Sequence, residues 1–525
     1  MKKKSLAILL ALGMTAGLLG GCGDSGSSDP AGGNTTEADN SEASQGNPAD
    51  SDNSEASGDV YHMVMEIVNY GFDDPDIKMV QDKINERTIP EIGVEVEFLT
   101  VPIGEMATKL GLMISGGEQM DLVCTGLTTY PAKLAAEGSL MPITEYVENS
   151  EILTKATEGV IDACKYNGEI YALPGVTAAG IETAFYYDKE LAEQYNIQLP
   201  EKLETAEDWE ALFSQVKESG MDAYAISLGD GCKAEATSTG YAFDCLGDKS
   251  FFSYGVIMND DTSDTIVDLY SSDLYMEKCK MHRDWFEKGY CVPDSISNGY
   301  TTTDSLKQGM VFGILNNHGS GMNEGNLNRT TGKTLGVIPT SDIVIQSANV
   351  TAMSYGISTT CKNPEKVIKF LELLYSDVDF INLMNFGIEG VHYVTTEGSN
   401  VIGYPEGVDP SSCGYGNFLG IPCDNMNIYV REPLTDEFAE TISKFAFGSA
   451  KASKYLGYTF DTTNVSTEIS AVTAIINKYA PALECGIVDP EEMIPEFTAE
   501  LKTAGIDKII EENQKQLNDW LAAQN

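Results

Sequence analysis

Positive charge is scarce in this 525-residue chain: 33 Lys and Arg stand against 80 Asp and Glu, a formal charge of −47. A field of that sign repels nucleic acid and argues against a polyanionic ligand, leaving neutral or cationic ones. Histidine is rare too, and His62, His282, His318 and His392 are scattered rather than spaced as metal ligands. The chain has no GxSxG, no HExxH and no phosphate-binding Gly-Lys-Ser/Thr loop, so those enzyme classes drop out. Its many carboxylates leave a glycosidase-like pair open without nominating one. Asn259 to Asp264 lacks the glycine and glutamate of a calcium loop and reads as an acidic turn. No metal and no cofactor is expected. After Cys22 no run is long and apolar enough to cross a bilayer.

The apolar run that does exist comes first. Lys2, Lys3 and Lys4 precede an apolar stretch from about Leu6 to Leu19, the parts of a secretory signal spanning residues 1–21. Leu19-Gly20-Gly21-Cys22 resembles a lipoprotein cleavage site, which implies that Cys22 becomes an acylated N-terminus. Several acyl chains, at roughly 0.8 kcal/mol per buried methylene, anchor a folded body durably. From Gly23 to Gly58 there is no Lys, no Arg and no apolar side chain larger than alanine. Such a segment cannot offset its ordering entropy, so 22–58 is expected to be an acylated, disordered acidic tether of roughly 30–36 Å mean reach. A Gram-positive cell surface suits this arrangement. In an exported chain Cys232/Cys245, Cys279/Cys291 and Cys413/Cys423 have spacings that permit disulfides, but sequence does not give the connectivity. Most cysteines are expected to be reduced, buried small hydrophobes.

The body from residue 59 onward is too long for one core. Residues 60–125 read as alternating strands and helices. Val60 to Val68 is almost continuously apolar, as in a strand covered on both faces. Asp74 and Pro75 predict a helix start with Ile77, Val80 and Ile84 on its buried stripe. Val94, Val96 and Phe98 alternate with Glu95 and Glu97, Met106 to Met113 is a helix, and Met120 to Cys124 a third strand. Asn167-Gly168 predicts a tight hairpin, Thr183 to Tyr187 a strand, and Gly309 to Leu315 a buried strand ending in Asn316-Asn317-His318. Asn363-Pro364-Glu365 opens a helix striped by Val367, Phe370, Leu371 and Leu374. Asp489-Pro490 opens another, Gly505 interrupts it, and Ile506 to Leu521 stripe the last. Trp209 and Trp520 read as core packing; Trp285 stays open between core and ligand. Residues 220–300 give little pattern.

Several stretches together resemble a known family. They are Ile114-Ser115-Gly116-Gly117-Glu118-Gln119-Met120-Asp121, Asn167 to Pro174, Lys362 to Val367, Phe386-Gly387-Ile388-Glu389-Gly390-Val391-His392-Tyr393 and Ala504 to Lys508. In order and spacing they are similar to the carbohydrate-binding lipoproteins of bacterial ABC importers, extracellular solute-binding family one, in a subgroup with a long C-terminal extension. The resemblance implies an α/β fold of two lobes with a ligand cleft between them and a helical C-terminal extension. Lobe 1 would take 59–180 and about 350–395, and lobe 2 would take 181–349 and about 396–525. The chain would cross between them near Val176 to Tyr187 and near Ile345 to Ser354. A monomer that captures an oligosaccharide and passes it to ABC permease subunits with a cytosolic ATPase is implied, with no catalysis. A peptide or amino-acid receptor of the same fold, and an exported glycan-active enzyme, remain alternatives.

Sugars are held by aromatic faces ringed with carboxylates, amides and hydroxyls, and ligands of such sheets bind beyond the strands' carboxyl ends. Tyr70, Phe72, Asp73, Thr128 and Tyr130 stand at those ends. Tyr186 and Tyr187 point to opposite faces of their strand, so one of the two is expected to line the cleft. Asn316 and His318 end another strand where the family commonly carries a tryptophan. Tyr355, Glu389 and Tyr415 complete the candidates.

Overall fold

Burial on both faces puts Tyr61–Asn69 inside a sheet, where Met63, Met65, Ile67 and Val68 have no exposed surface. The computed structural model describes residues 60–524 apart from 70–73, 127–130, 176–177, 230–241, 247–254, 260–262, 320–321, 410–411, 417–420, 422, 425, 427, 433 and 437–440. The signal, Cys22 and the tether lie outside the described residues, as do Tyr70, Phe72, Asp73, Thr128, Tyr130 and Cys232. No helix among the described residues is long and apolar enough to cross a membrane.

The first sheet runs in the order Val94–Pro102, Tyr61–Asn69, Leu122–Thr125, Ser354–Ile357, Leu173–Pro174. Its first three strands are parallel, and Ser354–Ile357 returns antiparallel to Leu122–Thr125. Along Val94–Pro102 the expected alternation holds: Val94 and Val96 are buried, Glu95 and Glu97 exposed. The helix Ile77–Ile92 buries Val80 and Ile84, each worth about 1.5–3 kcal/mol of removed apolar surface. It begins two residues later than Asp74-Pro75 predicts. Asp76 is the residue before it, makes no side-chain cap, and spends its carboxylate on His392 instead. The Asn167-Gly168 turn forms as predicted, with φ of 50° and 85°, joining Lys165–Tyr166 to Glu169–Ile170.

The second sheet has the order Leu335–Pro339, Glu182–Asp188, Val311–His318, Tyr224–Ile226. One face packs on Trp209, Phe213 and Trp285, and the other on Val292, Leu306 and Leu327. Trp209 and Trp285 sit 5.2 Å apart by ring centroids, so both are core residues. Trp520 packs on Tyr458 at 5.8 Å.

Three chain segments run side by side between the sheets, one more than expected. Gly180 donates its N–H to the Phe445 carbonyl at 2.7 Å, and Ile181 and Val344 exchange backbone bonds at 2.8 and 2.9 Å. Val344–Ile345 then pairs in parallel with Lys451–Ala452, the third crossing. At Gly175 no side chain fits, since a Cβ there would lie 1.5 Å from the Met353 carbonyl oxygen. The first core also reaches further than the boundary near 395, because Tyr415 and Ile421 pack within it.

The last helices, Ser466–Glu484, Pro490–Ala504 and Ile506–Ala523, share one core with Phe243, Ile257, Leu269, Tyr270 and Tyr275. That explains the weak pattern of 220–300: its apolar partners lie some two hundred residues downstream. All nine cysteines among the described residues are unbridged, seven of them buried.

Candidate functional site

Strand pairing brings Glu182, Tyr186, Asn316 and His318 to one face, since His318 stands opposite Glu182 and Asn316 opposite Ala184. His318 Nδ1 lies 2.6 Å from Glu182 Oε1, a spacing at which the imidazole N–H faces the carboxylate. Its ring is edge-on to Tyr186 at 6.2 Å and to Phe445, from the third crossing, at 5.3 Å. Tyr186 is fully buried and donates its hydroxyl to the Asn317 carbonyl at 3.0 Å. Tyr187 points the other way and stacks on Phe312 at 5.8 Å in the lobe core. The opposite facing was legible; a cleft-lining tyrosine is not found, because both rings are enclosed. Half-buried Asn316 and His318 keep the accessible edge of this cluster.

Two other candidates are corrected by their burial. Tyr355 has no exposed surface, and its hydroxyl is 3.4 Å from the Glu66 carbonyl inside the first core. Tyr415 is likewise enclosed and donates to the Met384 carbonyl at 2.8 Å. Glu389 is exposed and accepts from Thr395 Oγ1 at 2.5 Å within the turn that precedes His392.

A second cluster gathers around Arg431. Arg329, from the helix Met322–Thr331, is within electrostatic range of Asp74, Tyr404 and Arg431. Arg431 lies over the Tyr404 ring at 4.4 Å and the Phe386 ring at 5.5 Å, and its Nη1 donates to the His392 carbonyl at 3.1 Å. His392 itself is pinned at both nitrogens: Nδ1 accepts from the Ile388 amide at 2.9 Å, leaving Nε2–H to donate to Asp76 Oδ2 at 3.3 Å. Burial holds its pKa below the usual histidine value, opposed by Asp76. Gly387 is required here, since a Cβ would meet His392 Nδ1 at 2.6 Å, at a φ of 79°. Phe386 to Tyr393 thus acts as the bracket that sets Arg431.

Sequence reasoning missed Arg329, Arg431, Tyr404, Glu182 and Phe445. The signal available was rarity: arginine occurs at four positions only, 87, 283, 329 and 431.

Two sheets are bridged by three paired chain segments, with His318 and Phe445 packed edge to face beside them. A family model described as bacterial extracellular solute-binding protein matches residues 82–389, more than half of the chain. The chain belongs to that family. Residues 454–522, most of the last three helices, match a domain of unknown function. A carbohydrate ABC transporter substrate-binding protein of Streptococcus pneumoniae is 26% identical over 470 residues, 86% of this chain and 91% of that one. Among solved structures, the N-glycan transport solute binding protein NgtS of Streptococcus pneumoniae aligns with a TM-score of 0.77 at 24% identity, over 88% of this chain and 100% of that one. Its complex with Man5GlcNAc aligns at 0.66, over 88% and 99%. The alginate-binding protein AlgQ2 has a TM-score of 0.59 at 13% identity, over 88% and 99%. These structural likenesses support a two-lobe solute-binding fold with a cleft between the lobes.

Proposed function

We propose that this protein is the substrate-binding lipoprotein of an ABC importer, tethered through acylated Cys22, which captures an oligosaccharide between its lobes and delivers it to permease subunits without chemistry on it. The observation that carries the reading is end-to-end likeness to a carbohydrate ABC transporter substrate-binding protein, over 91% of that relative's length. Likeness confined to one lobe would speak for shared fold; likeness through both lobes and the extension speaks for a shared task. The unequal fit to two NgtS structures, 0.66 for the complex with Man5GlcNAc against 0.77 for the other, supports lobes that can change their relative arrangement. On this reading lobe 1 comprises about 60–180 and 354–434, and lobe 2 about 181–345 and 450–524. Asn316 and His318 are proposed to contribute to the cleft, and Tyr70, Phe72, Asp73, Thr128 and Tyr130 remain candidates from the sequence.

The test is a thermal-shift and calorimetric screen of oligosaccharides, Man5GlcNAc included, against the mature protein. A bound sugar at a hundred times its Kd adds about 2.7 kcal/mol of stability. Stabilisation by peptides and by no sugar would replace the ligand class, and release of shorter sugars would make the protein an enzyme.

A further inference from the structure

Of the tyrosines among the described residues only Tyr224 and Tyr300 are exposed, at 39% and 44%. The fold sets these two at opposite ends of the second sheet. The strand Tyr224–Ile226 runs parallel to Val311–His318, with Tyr224 opposite Val311 and Ile226 opposite Gly313. Tyr224 therefore stands at the amino edge, and the chain leaving Ile226 emerges at the carboxyl edge, where Asn316 and His318 are. Cys291 bridges Ile226 in parallel, so the segment 292–301 that follows it emerges at that edge too. Ligands of α/β sheets bind on this side.

A cavity of about 280 Å³ lies there. Gly229, Ser295, Ile296 and Tyr300 line it from the second lobe, and Pro481 and Cys485 line it from the end of the helix Ser466–Glu484. Among the described residues no charged side chain lines it, in a chain with 80 carboxylates. Ser227 is 2% exposed, and its hydroxyl has no hydrogen-bond partner among the described residues. A Cβ on Gly229 would lie 3.6 Å from that hydroxyl, which places it next to the cavity wall. An unpaired buried hydroxyl beside a cavity is accounted for by an occupant that hydrogen-bonds, a water or a ligand hydroxyl. Tyr300 is fixed at its backbone: Asn298 Oδ1 accepts from its amide at 2.9 Å, and Thr301 caps the helix Thr302–Lys307 reciprocally with Asp304. An exposed ring on a fixed backbone is a preorganised platform.

We propose that this cavity is a subsite for one neutral hexopyranose unit of the captured oligosaccharide, its C–H face laid on Tyr300 and its hydroxyls met by Ser227 and Ser295, with the C-terminal helices supplying the far wall. The inference rests on the oligosaccharide-receptor reading. Aromatic stacking with a few polar groups suits a sugar, and a volume just under the about 300–1,000 Å³ of drug-sized sites holds one ring, not a chain. Neighbouring strands lie about 4.8 Å apart, so the subsite is one strand beyond Val311–His318 and takes a unit further along the sugar than the one beside Asn316 and His318. It also gives the segment 454–522, which matches a domain of unknown function, a part in binding.

The experiment measures, by calorimetry, binding of Man5GlcNAc, maltohexaose and cellohexaose beside the disaccharides Man1GlcNAc, maltose and cellobiose. The proteins are the mature wild type, Tyr300→Ala, Tyr300→Phe and Tyr224→Ala. The wild type is expected to bind at least one hexasaccharide about tenfold or more tighter than its disaccharide, and Tyr300→Ala should lose about that factor on the long sugar alone. Tyr300→Phe should stay within about threefold of wild type, since the stacking face remains, and Tyr224→Ala should match it. Unchanged affinity in Tyr300→Ala, an equal loss on long and short sugars, or the same loss in Tyr300→Phe or Tyr224→Ala overturns the subsite and leaves the receptor reading standing. So does a wild type that binds each hexasaccharide no tighter than its disaccharide, an arm that needs no variant to fold. Binding of none of these sugars by the wild type overturns both.

Discussion

His392 donates Nε2–H to Asp76 across 3.3 Å, joining residues that are 316 positions apart in sequence. The pair fastens the turn before the helix Ile77–Ile92 to the bracket that carries Arg431, and His392 is 1% exposed. Removing the acceptor should therefore strand a buried donor. Asp76→Ala is expected to destabilise the mature protein by about 1–3 kcal/mol, while Asp76→Asn, which keeps an acceptor oxygen, should lose much less. Urea unfolding of the two variants at pH 7.5 gives the comparison, and equal losses would show that the hydrogen bond is not what the aspartate supplies.

Glu66 lies in the middle of the first sheet with 1% of its surface exposed. One oxygen accepts from the Cys124 amide at 3.0 Å; the other has no hydrogen-bond partner among the described residues. Burial pushes its pKa up to about 7, offset in part by that amide and by Lys109. Because the folded value lies above the unfolded 4.5, Glu66 favours folding fully below pH 4.5 and loses that contribution as pH rises to 7. Glu66→Gln removes the loss: the variant should be more stable than wild type by about 3 kcal/mol at pH 8, shrinking toward nothing at pH 4. Urea midpoints at those two pH values measure it, and a pH-independent difference would count against a titrating carboxyl.

His282 pulls the opposite way. It is fully enclosed between the helix Asp273–Glu287 and the Glu484 carbonyl, to which Nδ1 donates at 2.8 Å. Burial lowers its pKa to about 4, with the Glu484 bond opposing and Lys278 adding to the depression. The folded value is below the unfolded 6.5, so stability is complete above pH 6.5 and falls between 6.5 and 4, by about 3 kcal/mol in all. His282→Asn, whose amide N–H can replace Nδ1–H, should flatten that acid limb relative to wild type. Between pH 4.5 and 6.5 the Glu66 and His282 slopes have opposite sign, so Glu66→Gln should expose a steeper acid loss than wild type shows.

Local patterns were readable in the sequence wherever one element carries its own signal. The alternation of Val94 to Phe98, the Asn167-Gly168 turn, the Asn363 cap accepting from the Lys366 amide at 3.2 Å and the left-handed Gly505 all formed as read. What failed depends on distant partners. Tyr355 and Tyr415 looked like ligand groups because a phenol has a polar tip, yet main-chain carbonyls inside the core take those tips. The third crossing escaped because Phe445 to Ala452 has no strand pattern until Val344–Ile345 lies beside it. Arg431 was passed over because only the fold lays it on the Tyr404 ring and against the His392 carbonyl, 27 and 39 residues away in sequence.

The proposed acylation of Cys22 makes a prediction independent of the folded body. Cys22→Ser removes the thiol that a thioether to diacylglycerol requires, so the variant should leave the membrane fraction for the medium while keeping its sugar-induced thermal shift. Full retention on membranes would oppose acylation at Cys22.

Two glycines at strand ends of the first sheet test whether the backbone beside the second crossing tolerates a side chain. At Gly175 a Cβ would sit 1.5 Å from the Met353 oxygen, and at Gly126, with φ of 89°, 1.5 Å from the Thr351 oxygen. Both obstacles are backbone of the second crossing, which cannot rotate aside as a side-chain tip could, so the segments must separate. Gly175→Ala should cost several kcal/mol, about 3 or more, and lower the melting temperature sharply. Gly104→Ala is the control, since nothing lies within 4 Å of its added methyl, and it should stay within about 0.5 kcal/mol of wild type. If Gly175→Ala melts as wild type does, the crossing segments yield freely and close packing there is not what sets the lobes; if it melts lower yet binds sugar with unchanged affinity, the second crossing stabilises the body without governing the cleft.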